Sequence, residues 1–410
     1  MIELGEAQEF VLSRVTPLAP RESPIEASRG CVVAAPVVAS EAVPGFENSS
    51  MDGFALRASD TAAGHARLLI TDAIHAGDVS SRSLDAGHAM RIMTGAPLPL
   101  GADCVCMIEE TIVDAGVVAI ERALAPGENV RHVGEDIAVG QELFSPGDVL
   151  NAAGIGVLAG QGRRSVLVHP RPRVGVLSTG NELARGDGPL GPGQIRDLNR
   201  PMLMALLEES GCVPVDLGTA RDTREAITDS LRQALDHCDA VISTGGVSVG
   251  DVDFVKVVIG DLAAGDARWM QVAIKPGKPF AFGVAGPRRT PIFGLPGNPV
   301  STRVGFEMFV RPALRTLAGH RVIERLTLDA VLESPLGRPT DGKVHLVHVK
   351  VTRGGDGDLR VTHSMRRGSH LLNAIVDANA IAIVDGNVPC DAGDRVRVLI
   401  LDADSLGSRA

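Results

Sequence analysis

The sequence is poor in several residue types. It has no tyrosine, one tryptophan and six cysteines, and only five of its 40 basic residues are lysine, which leaves 40 − 5 = 35 arginines. No run of about 18 apolar residues occurs, which excludes a transmembrane helix. The cysteines, scattered from Cys31 to Cys390, do not form the pattern of a disulfide framework. The N-terminus is acidic and amphipathic, unlike a secretory signal. We therefore expect a protein of the reducing cytoplasm.

Charge and composition narrow the class further. The formal net charge is −10, from 50 acidic and 40 basic residues, which argues against a general nucleic-acid binder. The hydrophobic fraction of 44% and the charged fraction of 22% are those of a globular protein, so wholesale disorder is excluded. A chain of 410 residues suggests two to four domains, at about 150 residues per domain. The arginine excess is typical of a genome that favours Arg, Ala and Gly codons.

The middle third of the chain alternates apolar β-type runs with helix-length segments. This alternation predicts a doubly wound α/β domain over residues about 172–320, with ligands at the carboxyl ends of its strands. The predicted strands are Val174–Leu177, Val213–Leu217, Ala240–Ser243, Val272–Ile274, Phe280–Gly283 and Pro291–Phe293. The predicted helices are Pro201–Ser210 with Asn199 as N-cap, Thr223–His237, one from near Asp251, and Pro299–Leu317.

The sequences before and after this region have patterns that differ from its strand–helix alternation. Residues 44–136 are rich in Gly, Pro and β-type runs, and residues 1–40 carry a helical pattern that prolines interrupt. After about residue 325, turn-formers separate short β-type runs, which predicts a small all-β domain. The predicted strands there are Leu326–Leu332, Val344–Val351, Leu359–Thr362, Ile381–Val384 and Val396–Leu401.

The first candidate site is the glycine-rich segment 243–253, between a strand and a helix. Gly245, Gly246 and Gly250 allow tight turns, and backbone N–H groups at a helix start can converge on an anion. The spacing fits neither a Rossmann fingerprint nor a P-loop, and a plain βα turn remains the alternative. Asp253 would repel a phosphate there unless a hard cation such as Mg²⁺ lay between them.

The second candidate site is the loop around Lys275 and Lys278, which two prolines and a glycine fix after a strand. Two close ammonium groups repel each other unless an anion compensates them. The alternative is a solvated basic turn. Two of only five lysines in one rigid loop favour an anion site.

Further polar loops follow other strands of the same domain. Segment 294–301 alone is typical of a turn, but it is the third loop predicted at the same sheet edge. Glu182, in segment 177–183, stands where a catalytic or metal-binding carboxylate would stand. The alternative is that Glu182 only caps a helix or lies on the surface. Asp222 follows the second strand in the same way. Three more polar turns lie nearer the N-terminus, in segments 48–55, 91–99 and 134–137.

Taken together, these motifs resemble the molybdopterin molybdenumtransferase family, which includes the C-terminal domain of gephyrin. The resemblance spans nearly the whole chain. Eight motifs occur in the family's order and approximate spacing: SSMDGFA, RIMTGAPLP, GEDI, STGNEL, GQIRDLNRPM, STGGVSVGDVDF, IKPGKPFAFG and GLPGNPVS.

The resemblance implies a four-domain homodimer. Its parts would be an elongated linking domain (1–43 and 137–171), a β-rich lobe (44–136), an α/β molybdopterin-binding domain (172–320) and a C-terminal β-barrel (321–410). The substrates would be adenylylated molybdopterin and molybdate, with Mg²⁺ as cofactor and AMP as a product. The active site would lie between the α/β domain of one subunit and the β-rich lobe of the other. The adenylyltransferase and the acceptor molybdoenzymes are the candidate protein partners, with no nucleic acid and no membrane.

The family's functional residues fall on particular positions of this chain. Asp253 and Glu182 would hold Mg²⁺, Lys275 and Lys278 an oxyanion, and Ser369 a molybdate oxygen. The catalytic set is Asp52, Thr94, Asp136, Glu182, Asp222, Asp253, Lys275 and Lys278. The substrate-binding set is Ser178, Thr179, Gly180, Gly245, Gly246, Ser248, Gly250, Pro279, Pro296, Gly297, Asn298, Ser369 and His348.

Two positions depart from the family pattern. Many members have arginine where His348 stands and a basic residue where Gln271 stands, so this chain has less positive charge near the expected anion site. Either His348 is protonated to bind the anion, or Arg366 or Arg367 substitutes for it. Full insertase activity, weaker molybdate affinity and a preference for tungstate all stay open. An adenylylating module is disfavoured because that class lacks the β-rich lobe, and a gephyrin-like scaffold because the homologous region begins near Met1.

Overall fold

The computed structural model describes residues 1–184, 186, 188–246, 254–336, 341–355, 357–362, 372–388 and 390–407. The chain divides into two compact units. Met1–Ala34, Gly147–Ile155 and Ser165–Ala410 form the larger unit, and Ala35–Pro146 with Gly156–Arg164 form the smaller one. Within the described ranges, no helix is long and apolar enough to cross a membrane.

The larger unit opens with helix α1 (Leu4–Leu12), whose Ala7 and Val11 join the core. The helical pattern expected over residues 1–40 holds mainly for α1, because the following proline-rich segment is extended. That segment contributes to a three-stranded antiparallel sheet in the order β1–β13–β2. Its strands are β1 (Arg21–Pro24), β2 (Val32–Val33) and β13 (Ser165–His169).

The smaller unit is built almost entirely from strands. Six of them form a sheet in the order β8–β5–β7–β6–β10–β9, in which only β6 and β7 run parallel. Two further pairs, β4–β11 and β3–β12, are two-stranded. The strands are β3 (Val37–Val38), β4 (Asn48–Ser49), β5 (Gly53–Leu56), β6 (Ala66–Ile74), β7 (His88–Ile92), β8 (Cys104–Met107), β9 (Thr111–Asp114), β10 (Val117–Ile120), β11 (Val130–Arg131) and β12 (Glu142–Phe144). Helix α2 (Ala152–Gly160) begins in residues of the larger unit and ends in residues of the smaller one.

A six-stranded sheet in the order β15–β14–β16–β20–β19–β17 forms the centre of the larger unit. The first four strands are parallel, and β19 and β17 each run antiparallel to the strand before them in that order. The strands are β14 (Arg173–Thr179), β15 (Val213–Ala220), β16 (Ala240–Thr244), β17 (Ala267–Gln271), β19 (Pro279–Ala285) and β20 (Thr290–Leu295). The predicted strand Val272–Ile274 is wrong, because the chain there leaves the sheet between β17 and the two-residue strand β18 (Ile274–Lys275).

Helices cover both faces of this sheet, which confirms the doubly wound α/β class. Leu203 and Val304 pack on the face that holds Val174 and Val176, while Leu231 packs with Leu177 on the other. The helices are α3 (Asn199–Glu209), α4 (Arg224–His237), α5 (Phe254–Leu262), α6 (Pro299–Gly305) and α7 (Arg311–Leu317), with a π-helical turn at Phe306–Val310 between the last two.

The C-terminal strands close into a five-stranded barrel in the order β22–β23–β21–β25–β24, with β24 pairing back to β22. Apolar residues that alternate along β22 and β24 fill its interior. Strand β18 pairs with the start of β22, which joins the lysine loop to the barrel. The elements are β21 (Thr327–Leu332), β22 (Val344–Arg353), β23 (Leu359–Thr362), α8 (Asn373–Val376), β24 (Ala380–Asp385) and β25 (Arg395–Ile400).

Candidate active site

A cavity of about 490 Å³ lies at the carboxyl ends of β14, β16 and β20. Parallel strands bring their following loops to one edge of the sheet, which is where ligands bind in open α/β sheets. Each of the three loops that follow these strands carries a motif quoted above. Of the predicted site residues, the cavity is lined by Ser178, Thr179, Glu182, Gly245, Gly297 and Asn298.

A buried hydrogen-bond network supports the floor of this cavity. The side-chain amide of Asn199 donates to Thr244 Oγ1 and to the carbonyl of Gly297, both at 2.8 Å. The Thr244 hydroxyl donates in turn to the carbonyl of Pro296 at 3.1 Å. The network therefore ties the ends of β16 and β20 to the start of α3.

The role of Asn199 differs from the expected helix cap. Asn199 is the first residue of α3, the N-cap position is Leu198, and the Asn199 side chain makes no cap bond. Its Oδ1 and the Oγ of Ser178 are buried and have no hydrogen-bond partner. Buried polar groups without partners are uncommon, so the cavity floor retains hydrogen-bonding capacity for a ligand or a water.

Two glycines in the second loop have backbone angles that favour glycine, with φ of 91° at Gly245 and 65° at Gly246. A Cβ at Gly245 would lie 2.2 Å from the carbonyl oxygen of Thr179. The close contact of the two loops thus requires glycine. Ser248, Gly250 and Asp253, from the same predicted site, lie outside the described residues.

The third loop turns directly into α6. Asn298 caps that helix by accepting hydrogen bonds from the N–H groups of Val300 and Ser301, at 3.1 and 3.3 Å. Pro299 occupies the first turn, where its missing N–H costs nothing. The segment is therefore both a structural turn and a wall of the cavity.

Two carboxylates lie close together beside the first loop. Burial raises the pKa of Asp222, and the nearby Glu182 carboxylate raises it further. The N–H of Asp222 donates to Asn181 Oδ1 at 3.3 Å, and the Asp222 Oδ1 is buried without a partner. Among the residues that the structure describes, no three His, Cys, Asp or Glu side chains form a metal-binding group.

The lysine loop has its own packing. Gly277 has a φ of 96°, and a Cβ there would come within 3.4 Å of Ile274 Cδ1 and 3.6 Å of the Ser301 carbonyl. The carbonyl of Lys278 accepts from the N–H of Val272 at 2.8 Å. Lys275 is exposed and Lys278 half-buried. Neither lysine, nor Pro279, is among the described residues that line the 490 Å³ cavity.

His348 lies in β22 and is buried, with its Nε2 unpartnered. Burial lowers the pKa of His348 to about 4, and the nearby Arg303 guanidinium contributes to the shift. The imidazole is therefore neutral at neutral pH, and the expectation that protonation lets it bind an anion stays a prediction. Arg366, Arg367 and Ser369 lie outside the described residues.

In the smaller unit, the first two N-terminal motifs meet at Asp52. Its Oδ1 accepts from the Thr94 N–H at 2.7 Å and from the Thr94 hydroxyl at 2.8 Å. These hydrogen bonds lower the pKa of Asp52, and Arg91 adds a smaller effect, so the exposed carboxylate stays ionised. Asp136 is also exposed, and its N–H donates to the Val43 carbonyl at 3.0 Å.

Three regions of the chain match known family profiles. Residues 2–162 match the MoeA N-terminal region (domain I and II), residues 175–316 a probable molybdopterin binding domain, and residues 336–401 the MoeA C-terminal region (domain IV). Together these ranges contain all the loops described above.

Curated and solved relatives agree with these profiles. Molybdopterin molybdenumtransferase 2 of Mycobacterium tuberculosis is 40% identical over 353 residues, 82% of this chain and 86% of the relative. The molybdopterin molybdenumtransferase of Haemophilus influenzae is 32% identical over 403 residues, 97% and 98% of the two chains. The chain belongs to the molybdopterin molybdenumtransferase family.

The fold supports the same assignment. A molybdopterin biosynthesis moeA protein from Pyrococcus horikoshii superposes with a TM-score of 0.81 at 30% identity, over 98% of this chain and 100% of that one. Membership of the molybdopterin molybdenumtransferase family makes this chain an enzyme of molybdenum cofactor biosynthesis. The resemblance, the fold class and the enzyme class predicted from the sequence are thus confirmed.

Sequence reasoning missed two features of this molybdopterin molybdenumtransferase. One is the network of Asn199, whose only signal was its place in the GQIRDLNRPM motif. The other is the apolar side of the cavity, to which Leu190, Ile195 and Leu372 contribute. Ile195 lies in the GQIRDLNRPM motif, but no local pattern marks Leu190 or Leu372, which come from distant parts of the chain.

Proposed function

We propose that this enzyme inserts molybdate into adenylylated molybdopterin, with Mg²⁺ as cofactor and release of AMP. The observation that carries the proposal is the cavity at the carboxyl ends of β14, β16 and β20, with the carboxylate of Glu182 in its lining and that of Asp222 nearby. Such a cavity suits a pterin phosphate that needs a cation and hydrogen-bond donors at one sheet edge.

The carboxylate pair fits a hard cation. The Glu182 charge contributes to the raised pKa of Asp222, a repulsion that a cation between the two would relieve, and the partnerless Asp222 Oδ1 offers a free oxygen ligand. In our proposal Glu182 holds Mg²⁺ with Asp253, and Asp222 acts beside them. Bound there, Mg²⁺ would neutralise the charge that develops on the phosphoanhydride during its cleavage.

The chain's own residues then bind and orient the two anions. The glycine turn at Gly245 and Gly246 would cradle the phosphate, and the Gly245 N–H, which donates to the Leu295 carbonyl at 3.2 Å, holds this turn against the end of β20. Lys275 and Lys278 hold the molybdate by charge, and Ser369 donates a hydrogen bond to it. A neutral His348 offers this anion no charge, so the lysine loop carries the electrostatic part.

The quaternary and cellular context is part of the same proposal. The active unit is a homodimer in the cytoplasm, in which Asp52, Thr94 and Asp136 of one subunit face the α/β domain of the other. The four domains have the bounds 1–43 with 137–171, 44–136, 172–320 and 321–410. The adenylyltransferase supplies the substrate and acceptor molybdoenzymes take the product. Light scattering on the purified protein tests the dimer.

The test of the reaction is AMP release from adenylylated molybdopterin in the presence of Mg²⁺. We expect release to depend on molybdate, and parallel reactions with tungstate measure the oxyanion preference. AMP release that ignores both oxyanions would reject the insertase function. Lys275→Ala and Lys278→Ala should each raise the molybdate concentration needed for half-maximal release, with Lys343→Ala, just before the barrel strand β22, as the matched control.

A further inference from the structure

Part of the cavity opening is aliphatic, beside the exposed Glu182 and Arg196 of the same lining, whereas the floor is polar. Four of the aliphatic side chains that line it are exposed: Leu190 by 46%, Ile195 by 53%, Leu198 by 36% and Leu372 by 39%. Exposed aliphatic residues are common when scattered, but a group of them around one cavity marks a binding surface. We call these four residues the aliphatic rim.

Two hydrogen-bond systems tie down the segment that carries Leu190 and Ile195. The N–H of Ala184 donates to the Ile195 carbonyl and the N–H of Ile195 to the Glu182 carbonyl, both at 2.9 Å, which closes the loop that carries Leu190. Inside that loop the Arg196 guanidinium donates to the carbonyls of Gly186, at 2.7 Å, and Gly188. The loop is thus fixed without burying its own leucine.

Leu372 reaches the same cavity from a different part of the chain. It directly precedes α8 and is followed by the barrel strand β24. Leu372 is far from Leu190 in the sequence but lines the same cavity, so the barrel half of the larger unit contributes to the opening. A ligand that enters the cavity therefore passes aliphatic side chains from both segments.

The floor complements the rim. Asn199 Oδ1 and Ser178 Oγ carry unused hydrogen-bonding capacity and belong to residues that line the cavity. A ligand that fits both parts has flat apolar faces and polar edge atoms. Fused heteroaromatic rings have this chemistry, because their faces pack on aliphatic groups while their ring nitrogens and exocyclic groups form hydrogen bonds.

We infer that the aliphatic rim, chiefly Leu190 and Leu372, determines substrate specificity by packing on the face of the substrate's fused heteroaromatic ring. The edge of that ring forms hydrogen bonds at the cavity floor, where Asn199 lies. The inference rests on the proposed function, whose substrate carries two such rings, a pterin and an adenine. Both have the chemistry that the rim recognises, so the experiment has one arm for each.

The test is direct binding of unsubstituted pterin and of AMP, measured separately by equilibrium dialysis, to the full-length protein. Leu190→Ser and Leu372→Ser should each weaken binding of one or both probes by about tenfold, since each removes most of one aliphatic contact. Leu190→Met, which keeps the apolar volume, should restore binding to within about threefold. Leu326→Ser, at an exposed leucine outside the cavity lining, is the matched control.

The outcomes separate the sources. If only pterin binding is lost, the rim contacts the pterin ring, and if only AMP binding is lost, it contacts the adenine ring. If binding of both probes is lost, the rim contacts both rings. Unchanged affinity for both probes in the two serine variants, or equal losses in Leu326→Ser, would overturn the inference. Because no turnover is involved, this failure is distinct from a failure of molybdate-dependent AMP release.

Discussion

The cavity floor in the larger unit and the Asp52–Thr94 pair in the smaller unit both carry predicted site residues, but they are built in opposite ways. Asn199 and Thr244 are buried and uncharged, and they hold backbone segments together. Asp52 and Thr94 are exposed, and their hydrogen bonds keep a carboxylate ionised at the surface. The floor gives its cavity a fixed shape, whereas the pair presents negative charge at the surface of the smaller unit.

The largest expected effect is at Gly245. In Gly245→Ala the new Cβ would lie 2.2 Å from the Thr179 carbonyl oxygen, which belongs to β14 and cannot move freely. We expect a loss of about 3 kcal/mol or more in the free energy of unfolding, because the φ of 91° adds strain to the overpacking, together with loss of AMP release. Urea unfolding measures the first quantity.

Gly260→Ala is the control for that substitution. Gly260 lies in α5, and a Cβ at this position would have nothing within 4 Å, so alanine there should be neutral or stabilise by up to about 1 kcal/mol. Equal stability of the Gly245→Ala and Gly260→Ala variants would show that the loops at the floor are not tightly packed.

The next effect is at Asn199. Asn199→Ala leaves Thr244 Oγ1 without one of its partners and the Gly297 carbonyl without a side-chain donor, both in a buried setting. We expect a loss of about 1–3 kcal/mol in the free energy of unfolding. Asn387→Ala, at an exposed asparagine that bonds only locally to Asp385, should change it by less than about 0.5 kcal/mol. A smaller loss at Asn199 than at Asn387 would contradict the proposed network.

A third prediction concerns acid stability. The pKa of His348 in the folded protein is lowered to about 4, so between that value and the ordinary one the unfolded chain binds more protons. The stability that the neutral His348 contributes is therefore fully present above a pH of about 6.5 and is lost as the pH falls toward 4. His348→Gln should lessen that loss by about 2 kcal/mol at pH 5. Chemical unfolding of the wild-type protein and of His348→Gln at pH 7.5 and pH 5 measures this difference. An equal loss of unfolding free energy in both proteins between the two pH values would refute the prediction.

The smallest effect on stability is expected at Asp52. Asp52→Asn keeps an oxygen acceptor for Thr94 but removes the charge, and the group is exposed, so the unfolding midpoint should not shift measurably. AMP release should nevertheless fall by about tenfold or more if the charge is what the pair supplies. Because the pKa of Asp52 is lowered, this charge is lost only in acid below the ordinary aspartate range. Full activity in Asp52→Asn would remove the contrast between the pair and the floor.

Local patterns in the sequence predicted those features of the fold that neighbouring residues determine. The alternation of strands and helices, the helix that begins at Pro299 and the barrel strand Leu359–Thr362 all follow from neighbouring residues. The strand at Val272–Ile274 was wrong because Ile274 and Lys275 pair with the distant Val344 and His345. The neutral state of His348 likewise depends on burial and on Arg303, which a spacing argument does not contain.

The residues that line the cavity likewise divide into those that local motifs predicted and those that they did not. Motif residues such as Gly245, Gly297 and Glu182 were predictable because each follows a strand of one parallel sheet. The aliphatic rim was not, since Leu190 and Leu372 belong to different segments whose meeting only the fold determines. Apolar residues at such positions look, in sequence, like ordinary core residues.

The central claim is that AMP release and molybdenum insertion are one reaction in this enzyme. The most direct measurement is the ratio of molybdenum incorporated into the pterin product to AMP released, with Mg²⁺ and saturating molybdate. The account predicts one molybdenum for each AMP, with neither product formed when molybdate is omitted. AMP release at the full rate without incorporation of molybdenum would contradict it.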